Sequence, residues 1–561
     1  MSLFKLKSRL AAALSLLLSA GLVAGCAQIP RDGAVGIGPN IQGSVTGDYF
    51  YYSPSLPVDG MSAYEIVDGF LSAGTGPQND YSVARKYLAP GIRSSWNPNN
   101  GLLIEHGSPT IEVNSENQAT VTIDVEGEVT SDGHYIAHPN LPTRVLTYQV
   151  SKVDGQLLIT SAPNLTVLLR PNFDVLFRGY SVYFFDQSFH QLVPDLRWFP
   201  ARPSTGTRLV NALLAGPSSW LAPGAVTAFP DGTKLAIDSV AITGGVASVD
   251  LSSQILWAST EHKLYLQAQL WATLKQLPNV LSMNLFVDHV QQQIVTYDPS
   301  EPTKVSNTPV ELSDTGLAHV GLGEVTAIEG SSGLSVKAKD FALSRDESWL
   351  AVLANDGLSL GVMSASGVKL KLADARHGLL TPAYDSNGYF WSIPKSATAT
   401  IKSFDSSGQG HAVGAPLLAG YRRLGFALSP EGSRVAMVLG RGAVTKLLVV
   451  AVHRNKNGSP AYLGDPEFLA TASVPVGPIA WVDATSIAVL AKDEGTKRVP
   501  VVVTVGGTER RLPAVDGAAG IASGNEAGDI YVRLASGYLE VFRGTGWSGI
   551  TSNSKALHFP G

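Results

Sequence analysis

The spacing of hydrophobic residues changes from helical to strand-like within the first folded part of the chain, residues 61–178. Between residues 61 and 88, apolar side chains recur three and four positions apart, which predicts two short helices. From residue 120 onward, apolar and polar residues alternate, which predicts strands. The candidate strands are residues 120–125, 144–153, 157–160 and 166–169, with Asp154-Gly155 as a hairpin turn. Helices followed by an antiparallel sheet predict an α+β cone-like domain with a curved sheet.

Residues 180–300 mix both periods and predict a smaller α/β domain. The candidate strands are residues 181–185, 192–199, 235–242, 246–251 and 283–287. Residues 208–215 form one candidate helix, which Gly216-Pro217 ends. A second helix carries leucines at spacings of four, four and three, namely Leu266, Leu270, Leu274 and Leu277. Both leucine stripes are typical of helices that pack on a sheet.

The last part of the chain, residues 310–561, repeats a strand–turn–strand pattern. Residues 341–352 match residues 426–437 at an offset of 85 positions. Related segments give five alanines separated by 41, 44, 53 and 42 positions, namely Ala342, Ala383, Ala427, Ala480 and Ala522. A period of about 40–45 residues is typical of β-propeller blades. The pattern therefore predicts a five- or six-bladed β-propeller, whose last blade is completed by a strand from near the start of the domain.

A basic start and an uncharged apolar run precede these domains. Residues 10–25 carry no charge, and their 16 positions are fewer than the roughly 20 that a spanning helix needs. Short apolar runs of this kind, followed by small residues, are secretory signals. The ending Val23-Ala24-Gly25-Cys26 resembles the lipobox of bacterial lipoproteins, in which the leader is cut between Gly25 and Cys26 and the thiol of Cys26 is acylated. Residues 1–25 are thus predicted to be a signal peptide, and the Gly/Pro-rich residues 26–60 a lipidated cysteine with a flexible tether.

Composition excludes some classes of function. Cys26 is the only cysteine, so an acylated chain would have no disulfide. Without the leader and its three basic residues, 38 Lys and Arg face 46 Asp and Glu, a net charge of −8. An acidic and mixed surface disfavours nucleic acid or an anionic membrane surface as a partner.

Candidate catalytic and metal motifs fail on their context. His134 and His138 lie four apart, but the surrounding turn residues predict a strand end, where such residues are about 13 Å apart. Ser359 lies in a G-x-S-x-G match, but a strand follows it where a nucleophile elbow needs a helix. We therefore predict no catalytic residue, no metal and no cofactor, and no enzyme.

Three segments of the second domain resemble the GerMN domain of bacterial envelope lipoproteins, an α/β module regarded as an interaction domain. These segments are residues 209–217, 229–233 and 245–252. The resemblance places Asp250 at a strand end, which favours a capping or turn role for Asp250 and Ser252 over a catalytic one.

The order of leader, lipobox, tether, α+β domain, GerMN-like domain and propeller resembles the actinobacterial lipoprotein LpqB family over nearly the whole chain. Residues 426–436 and the segments 67–71 and 84–88 are similar to that family. The resemblance implies a lipid-anchored protein on the extracytoplasmic face of the cell membrane. It further implies that the protein binds and modulates a sensor histidine kinase of a two-component system in cell-envelope homeostasis.

Two alternatives remain open. The protein could be an envelope glycan- or lipid-binding protein, which a large apolar cavity in the first domain would support. A hydrolase would require paired carboxylates roughly 5–10 Å apart in one cleft.

Overall fold

The computed structural model describes residues 54–561, with gaps. The gaps are residues 296, 298, 300–307, 322–323, 330, 332–333, 335–337, 366–368, 494–496, 525–529 and 551–552. Residues 47–561 belong to one compact unit. Its described part contains an α+β domain, a small α/β domain and a β-propeller, which confirms the predicted fold class.

Helices open and close the first domain, and a bent sheet lies between them. The helices are α1 Ala63–Ala73, α2 Ser82–Lys86, α3 Pro90–Arg93 and, after the sheet, α4 Arg170–Leu176. The strands are β1 Gly101–Glu105, β2 Thr110–Val113, β3 Gln118–Thr130, β4 Tyr135–Ala137, β5 Thr143–Val153, β6 Gln156–Ser161 and β7 Thr166–Leu169. Helix α1 begins at a capping box, in which Ser62 N–H donates to Glu65 at 2.7 Å and Glu65 N–H donates to the Ser62 hydroxyl.

Strand β3 gives the first sheet its curvature. Its first half pairs with β2 and β5, and its second half pairs with β1 and β4. A bulge between Ile104 and Glu105 of β1 marks the bend. The prediction of a wholly antiparallel sheet is wrong for one pair, because β1 and β7 run parallel. The chain between β1 and β7 forms strands β2 to β6. Strand β7 then pairs with the edge of β1 that β3 leaves free, and it runs in the same direction as β1.

The second domain has two small sheets around two helices. Its elements are β8 Phe177–Asp186, β9 Leu192–Pro200, α5 Thr205–Ala215, β10 Ala225–Val226, β11 Ala241–Thr243, β12 Val246–Leu251, α6 Thr260–Leu274, β13 Ser282–Val287 and β14 Val290–Gln292. One sheet has the order β10-β8-β9 and the other the order β11-β12-β13-β14. The leucine stripes of α5 and α6 are buried in one shared core. Most of the predicted strand 235–242 is not a strand, since side chains 236–239 are exposed and only an isolated bridge joins Leu235 to Leu251.

Six four-stranded sheets form the propeller, at the upper of the two predicted blade numbers. Blade one contains β15 Val310–Ser313, β16 Gly316–Val320, β17 Val325–Ala327 and β38 Ala556–His558. Blades two and three contain β18 Ala338–Leu343, β19 Trp349–Ala354, β20 Leu360–Ser364, β21 Lys371–Asp374, β22 Ala383–Tyr384, β23 Phe390–Ser392, β24 Ile401–Phe404 and β25 Gly410–Val413. Blade four contains β26 Arg422–Leu428, β27 Arg434–Arg441, β28 Val444–Arg454 and β29 Pro460–Leu469. Blades five and six contain β30 Pro475–Trp481, β31 Ser486–Lys492, β32 Arg498–Thr504, β33 Glu509–Arg511, β34 Ala518–Ser523, β35 Ile530–Leu534, β36 Leu539–Arg543 and β37 Gly546–Ile550.

A strand from the far end of the domain closes the ring. Strand β38 pairs with β15, with Val310 opposite His558 and Leu312 opposite Ala556. The innermost strands β38, β18, β22, β26, β30 and β34 contact one another in a closed circle. The two ends of the domain do share a blade, as predicted, but the shared blade is the first one and not the last. Three strands from the start of the domain receive one strand from its end, because β15, β16 and β17 already supply the three outer positions.

Candidate functional site

The innermost strands of the propeller enclose a central cavity of about 300 Å³. Register shifts interrupt four of these strands near the same end, at Ala338/Asp340, Arg423/Gly425, Pro475/Ile479 and Ala518/Gly520. A bulge interrupts the regular alternation of side chains, so a side chain that would otherwise point between blades can point into the cavity. Asp340 enters the cavity at one such bulge, and it is the residue on which the polar contacts of the cavity converge.

Asp340 links three blades across the channel. Its carboxylate lies 2.7 Å from Nε2 of His558 in blade one and accepts the hydroxyl of Thr381, which precedes blade three. Burial would raise the pKa of Asp340, but His558 and the hydrogen bond from Thr381 lower it below its usual value. Asp340 is therefore an ionised carboxylate that ties the closing strand β38 to its neighbours.

Two arginines add positive charge to the same cavity. Arg533 lies over Gly520, which has no side chain to block it, and donates from Nη1 to the Leu534 carbonyl. Arg345 reaches from blade two to the Pro430 carbonyl of blade four, and its Nε has no hydrogen-bond partner within the described ranges. Burial lowers the pKa of both guanidinium groups. The channel can thus hold polar or anionic groups, but its charges do not form a nucleophile–base pair.

A second cavity, of about 150 Å³, lies where the three domains meet. Its charged and aromatic lining residues are His134, Tyr135, Asp195, Trp220, Arg434 and Glu467. Burial, and then the charge of Asp195, raise the pKa of Glu467. Asp195 itself accepts Arg197 at 2.9 Å and the Ser218 N–H at 2.8 Å. Asp195 is thus held by an arginine and a backbone amide, beside a carboxyl group with a raised pKa.

Hydrogen bonds across this junction lock the domains together. In the second domain, Trp198 donates its indole N–H to the Gly506 carbonyl of the propeller at 2.8 Å, while its backbone N–H donates to Gly133 of the first domain at 2.7 Å. Gln187 of the second domain donates to Nδ1 of His453 at 2.7 Å. The backbone N–H of Arg454 donates to the side-chain amide oxygen Oε1 of the same Gln187 at 2.7 Å.

The residues singled out from the sequence do not converge on one site. Gly25 and Cys26 lie outside the described residues. His134 and His138 flank β4 and face different carboxylates, with His138 Nε2 at 3.4 Å from Glu128 and His134 Nε2 at 4.0 Å from Asp132. Ser359 leads directly into strand β20, so it lacks the helix of a nucleophile elbow.

Asp250 has the turn role that was predicted for it. Its buried carboxylate lies 2.6 Å from Nδ1 of His289 and also accepts the His289 N–H. Asp288 and His289 both have positive φ, at 44° and 69°, so Asp250 holds a strained hairpin turn in place. The Ser252 hydroxyl accepts the Lys234 N–H at 3.0 Å.

Sequence reasoning missed the Asp340–His558 contact and Arg533. Nothing in a single sequence marks a bulge, and the contact joins residues 218 positions apart. Within the described ranges, no cluster of three or more His, Cys, Asp or Glu residues could hold a metal ion. None of the helices in the same ranges is long and apolar enough to cross a membrane.

The first domain fills its own concave face. Aromatic side chains from its helices and sheet pack edge to face there, with Phe70 at 5.1 Å from Trp96 and 5.9 Å from Tyr148, between ring centroids. Burial raises the pKa of Tyr148, whose side chain lies deep in this core. These side chains form part of the hydrophobic core between the helices and the sheet.

Three family models match consecutive parts of the chain. They describe the lipoprotein LpqB N-terminal domain at residues 56–174, a sporulation and spore germination domain at residues 181–292, and the lipoprotein LpqB beta-propeller domain at residues 315–555. Fold and matches together define a multidomain lipoprotein with a GerMN-like module and a C-terminal propeller. The chain belongs to the LpqB lipoprotein family.

Similar proteins carry the same name. The lipoprotein LpqB of Thermobifida fusca (strain YX) is 30% identical over 297 residues, which are 50% of this chain and 47% of that protein. The lipoprotein LpqB of Bifidobacterium longum (strain NCC 2705) is 26% identical over 425 residues, 72% of each chain. The match thus spans about half the length of the first relative.

Solved structures that align with this chain have lower sequence identity than these relatives. The nidogen/laminin complex has a chain with TM-score 0.35 and 11% identity, aligned over 45% of this chain and 97% of that chain. The Cps50 (Swd1) beta-propeller domain from Myceliophteria thermophila has TM-score 0.30 and 10% identity, over 44% of this chain and 88% of that domain.

Proposed function

We propose that this chain is a lipoprotein anchored through acyl chains on Cys26, with its domains on the extracytoplasmic face of the cell membrane. In this proposal it binds the extracytoplasmic domain of a sensor histidine kinase and modulates the kinase in cell-envelope homeostasis, without catalysis of its own. Membership of the LpqB family is the observation that carries the proposal. A leader that resembles a lipoprotein signal supports the anchor.

The locked junction supports a binding role. A ligand shifts an equilibrium between two receptor states only by its difference in affinity for them. A body whose three domains are held by Trp198 and Gln187 presents its surfaces in fixed relative positions. Such a body can favour one kinase arrangement over another, because it does not adapt equally to both.

Crosslinking in membranes tests this function. The acylated protein, with a photo-crosslinking residue at an exposed propeller position, is irradiated in native membranes, purified under denaturing conditions and its adducts are identified. We expect the extracytoplasmic domain of a sensor kinase among the adducts, and kinase autophosphorylation in vesicles that changes when the lipoprotein is added. Adducts without any sensor kinase, from several exposed positions, would reject the proposal.

A further inference from the structure

One rim of blade four combines exposed apolar and cationic side chains. We name this patch the blade-four rim, and it comprises Leu417, Arg422, Arg441, Val444, Lys446 and Phe468. The three apolar members are 53%, 59% and 43% exposed for Leu417, Val444 and Phe468. We propose that the blade-four rim binds the surface of a membrane that contains anionic phospholipids.

Strand pairing brings these residues to one end of the blade. Arg441 and Val444 face each other across the tight turn between β27 and β28. Lys446 Nζ lies 4.7 Å from the ring centroid of Phe468, and the Arg441 guanidinium lies 5.8 Å from the ring centroid of Tyr421. The cations therefore lie directly beside the apolar side chains, as in proteins that insert apolar residues below lipid headgroups while basic residues contact the phosphates.

Within the part of the chain that the structure describes, the three cations of the rim have no carboxylate partner. Arg422, Arg441 and Lys446 are exposed, and none of them forms a salt bridge within the described ranges. Glu509 of blade five lies near this rim, and its carboxylate accepts the Ala472 N–H at 3.0 Å. On a chain whose net charge is negative, three unpaired cations around apolar turn residues depart from the mixed surface that composition predicts.

The rim points away from the domain junction. Strand β28 begins at Val444 on the rim and ends at Arg454, which bonds the second domain. Ten residue steps along a strand separate these ends by roughly 33 Å. Further propeller contacts of the second domain lie at Ser433 and Gly506, and at Gly464 of β29, which follows the residue paired with Val452 and so also lies toward the Arg454 end. The blade-four rim is therefore left uncovered by the rest of the described chain.

A bilayer suits this patch better than a protein partner. Its apolar side chains lie on separate turns and strand ends, next to cations, and they do not form a flat apolar centre with a polar rim. The proposed anchor at Cys26 would also keep a bilayer within reach, since the 28 residue steps from Cys26 to Pro54 can span at most roughly 95 Å. Only this physiological setting rests on the proposed function, because the attraction itself needs no acyl chain.

Vesicle flotation tests the proposal without the anchor. The probe protein is residues 47–561, the compact unit, which lacks Cys26. It is mixed with vesicles of phosphatidylcholine alone or with phosphatidylglycerol added, at low and at high salt. We expect binding to the anionic vesicles only, and loss of that binding at high salt.

Charge-matched variants locate the contact. Arg441→Gln with Lys446→Gln should lower the partition coefficient roughly 25-fold, about fivefold for each cation. Lys152→Gln with Lys456→Gln removes the same charge from exposed positions outside the rim and should change it less than twofold. Val444→Ser should reduce binding to the anionic vesicles at low salt, since it removes apolar contact. Circular dichroism of each variant establishes that it is folded.

Several results would overturn the proposal. They are equal binding to both kinds of vesicle, no binding to either, or equal losses in the rim and control double variants. Rim variants that bind vesicles normally but lose the crosslink to the kinase would assign the rim to a protein partner. Failure of the kinase crosslink in the unchanged chain, with vesicle binding intact, would reject the proposed function and leave this proposal standing.

Discussion

Glu105 is a buried carboxylate at the bend of the first sheet. It is 4% exposed, and its Oε1 has no hydrogen-bond partner in the described part of the chain. Burial, and then the charge of Asp124, raise its pKa to about 7. A carboxyl group in this position is held neutral by its surroundings, which disfavour a second negative charge beside Asp124.

Glu105 should make the folded protein less stable as pH rises, whereas carboxylates with a lowered pKa make it more stable. The folded protein keeps the proton up to about pH 7, whereas the unfolded chain releases it near pH 4.5. Stability from this group is therefore complete below pH 4.5 and is lost as pH rises to 7. Urea unfolding of the wild type and of Glu105→Gln should show the variant more stable above pH 7, by on the order of 2 kcal/mol.

The comparison of Glu105→Gln with the wild type cancels other titrating groups. The two curves should converge below pH 4.5, where Glu105 becomes protonated in both states of the wild type. A difference between the two proteins that does not vary with pH would show that Glu105 keeps the same pKa when the chain folds.

Cys26 is predicted to matter for attachment and not for folding. Cys26→Ser removes the thiol that acylation requires. In a detergent phase-partition experiment the variant should therefore be found in the aqueous phase, except for chains that retain their leader. Its unfolding midpoint should equal that of the wild type. Unchanged labelling of the variant with a radioactive fatty acid would contradict the anchor.

At the scale of the secondary-structure elements, strand β38 closes the propeller through one central residue. Leu557 is 5% exposed and packs against Val320 of its own blade and Tyr531 and Leu539 of blade six. Leu557→Asp would bury an unpaired carboxylate in this core, so we expect a loss of at least about 3 kcal/mol of unfolding free energy.

Calorimetry and urea unfolding measure the effect, and Leu557→Met is the matched control. Methionine conserves volume and apolar character and should cost less than about 1.5 kcal/mol. Equal losses in the two variants would mean that β38 contributes by backbone pairing with β15 alone.

The alanine repeat identified the inner strands of blades two to six, because residues that pack between blades must be small and recur once in each blade. Blade one does not show the repeat, since its inner strand β38 comes from the other end of the domain. The long spacing before Ala480 has a simple cause in strands β28 and β29, which have 11 and 10 residues. The channel side chains could not be predicted, because bulges and contacts over 200 positions decide where Asp340 and Arg533 point.

At the scale of the whole molecule, Trp198 connects all three domains. Its ring lies 5.7 Å from Tyr135 and 5.1 Å from Phe173 of the first domain, between centroids, while its N–H bonds the propeller. Trp198→Phe keeps an aromatic ring but leaves the Gly506 carbonyl without that donor. We expect faster hydrogen exchange in the turn around residues 504–507, with a loss of about 1 kcal/mol.

Trp257→Phe provides the control, because Trp257 is 77% exposed and its ring faces solvent. In this variant the backbone amides of residues 504–507 should exchange hydrogen at the wild-type rate. If both variants leave the turn unchanged, the junction is held by Gln187 and the surrounding packing, and the indole bond adds nothing measurable.

Closure of the ring by β38 also has a consequence for synthesis. A ribosome releases the chain from its N-terminus, so β15 emerges about 240 residues before the strand that covers its free edge. Until then the first blade lacks its inner strand, and β15 exposes unpaired backbone groups to other chains. The first domain can fold early, whereas the propeller must wait for its last residues. Nascent chains stalled within this interval are therefore expected to need a chaperone at the propeller and not at the first domain.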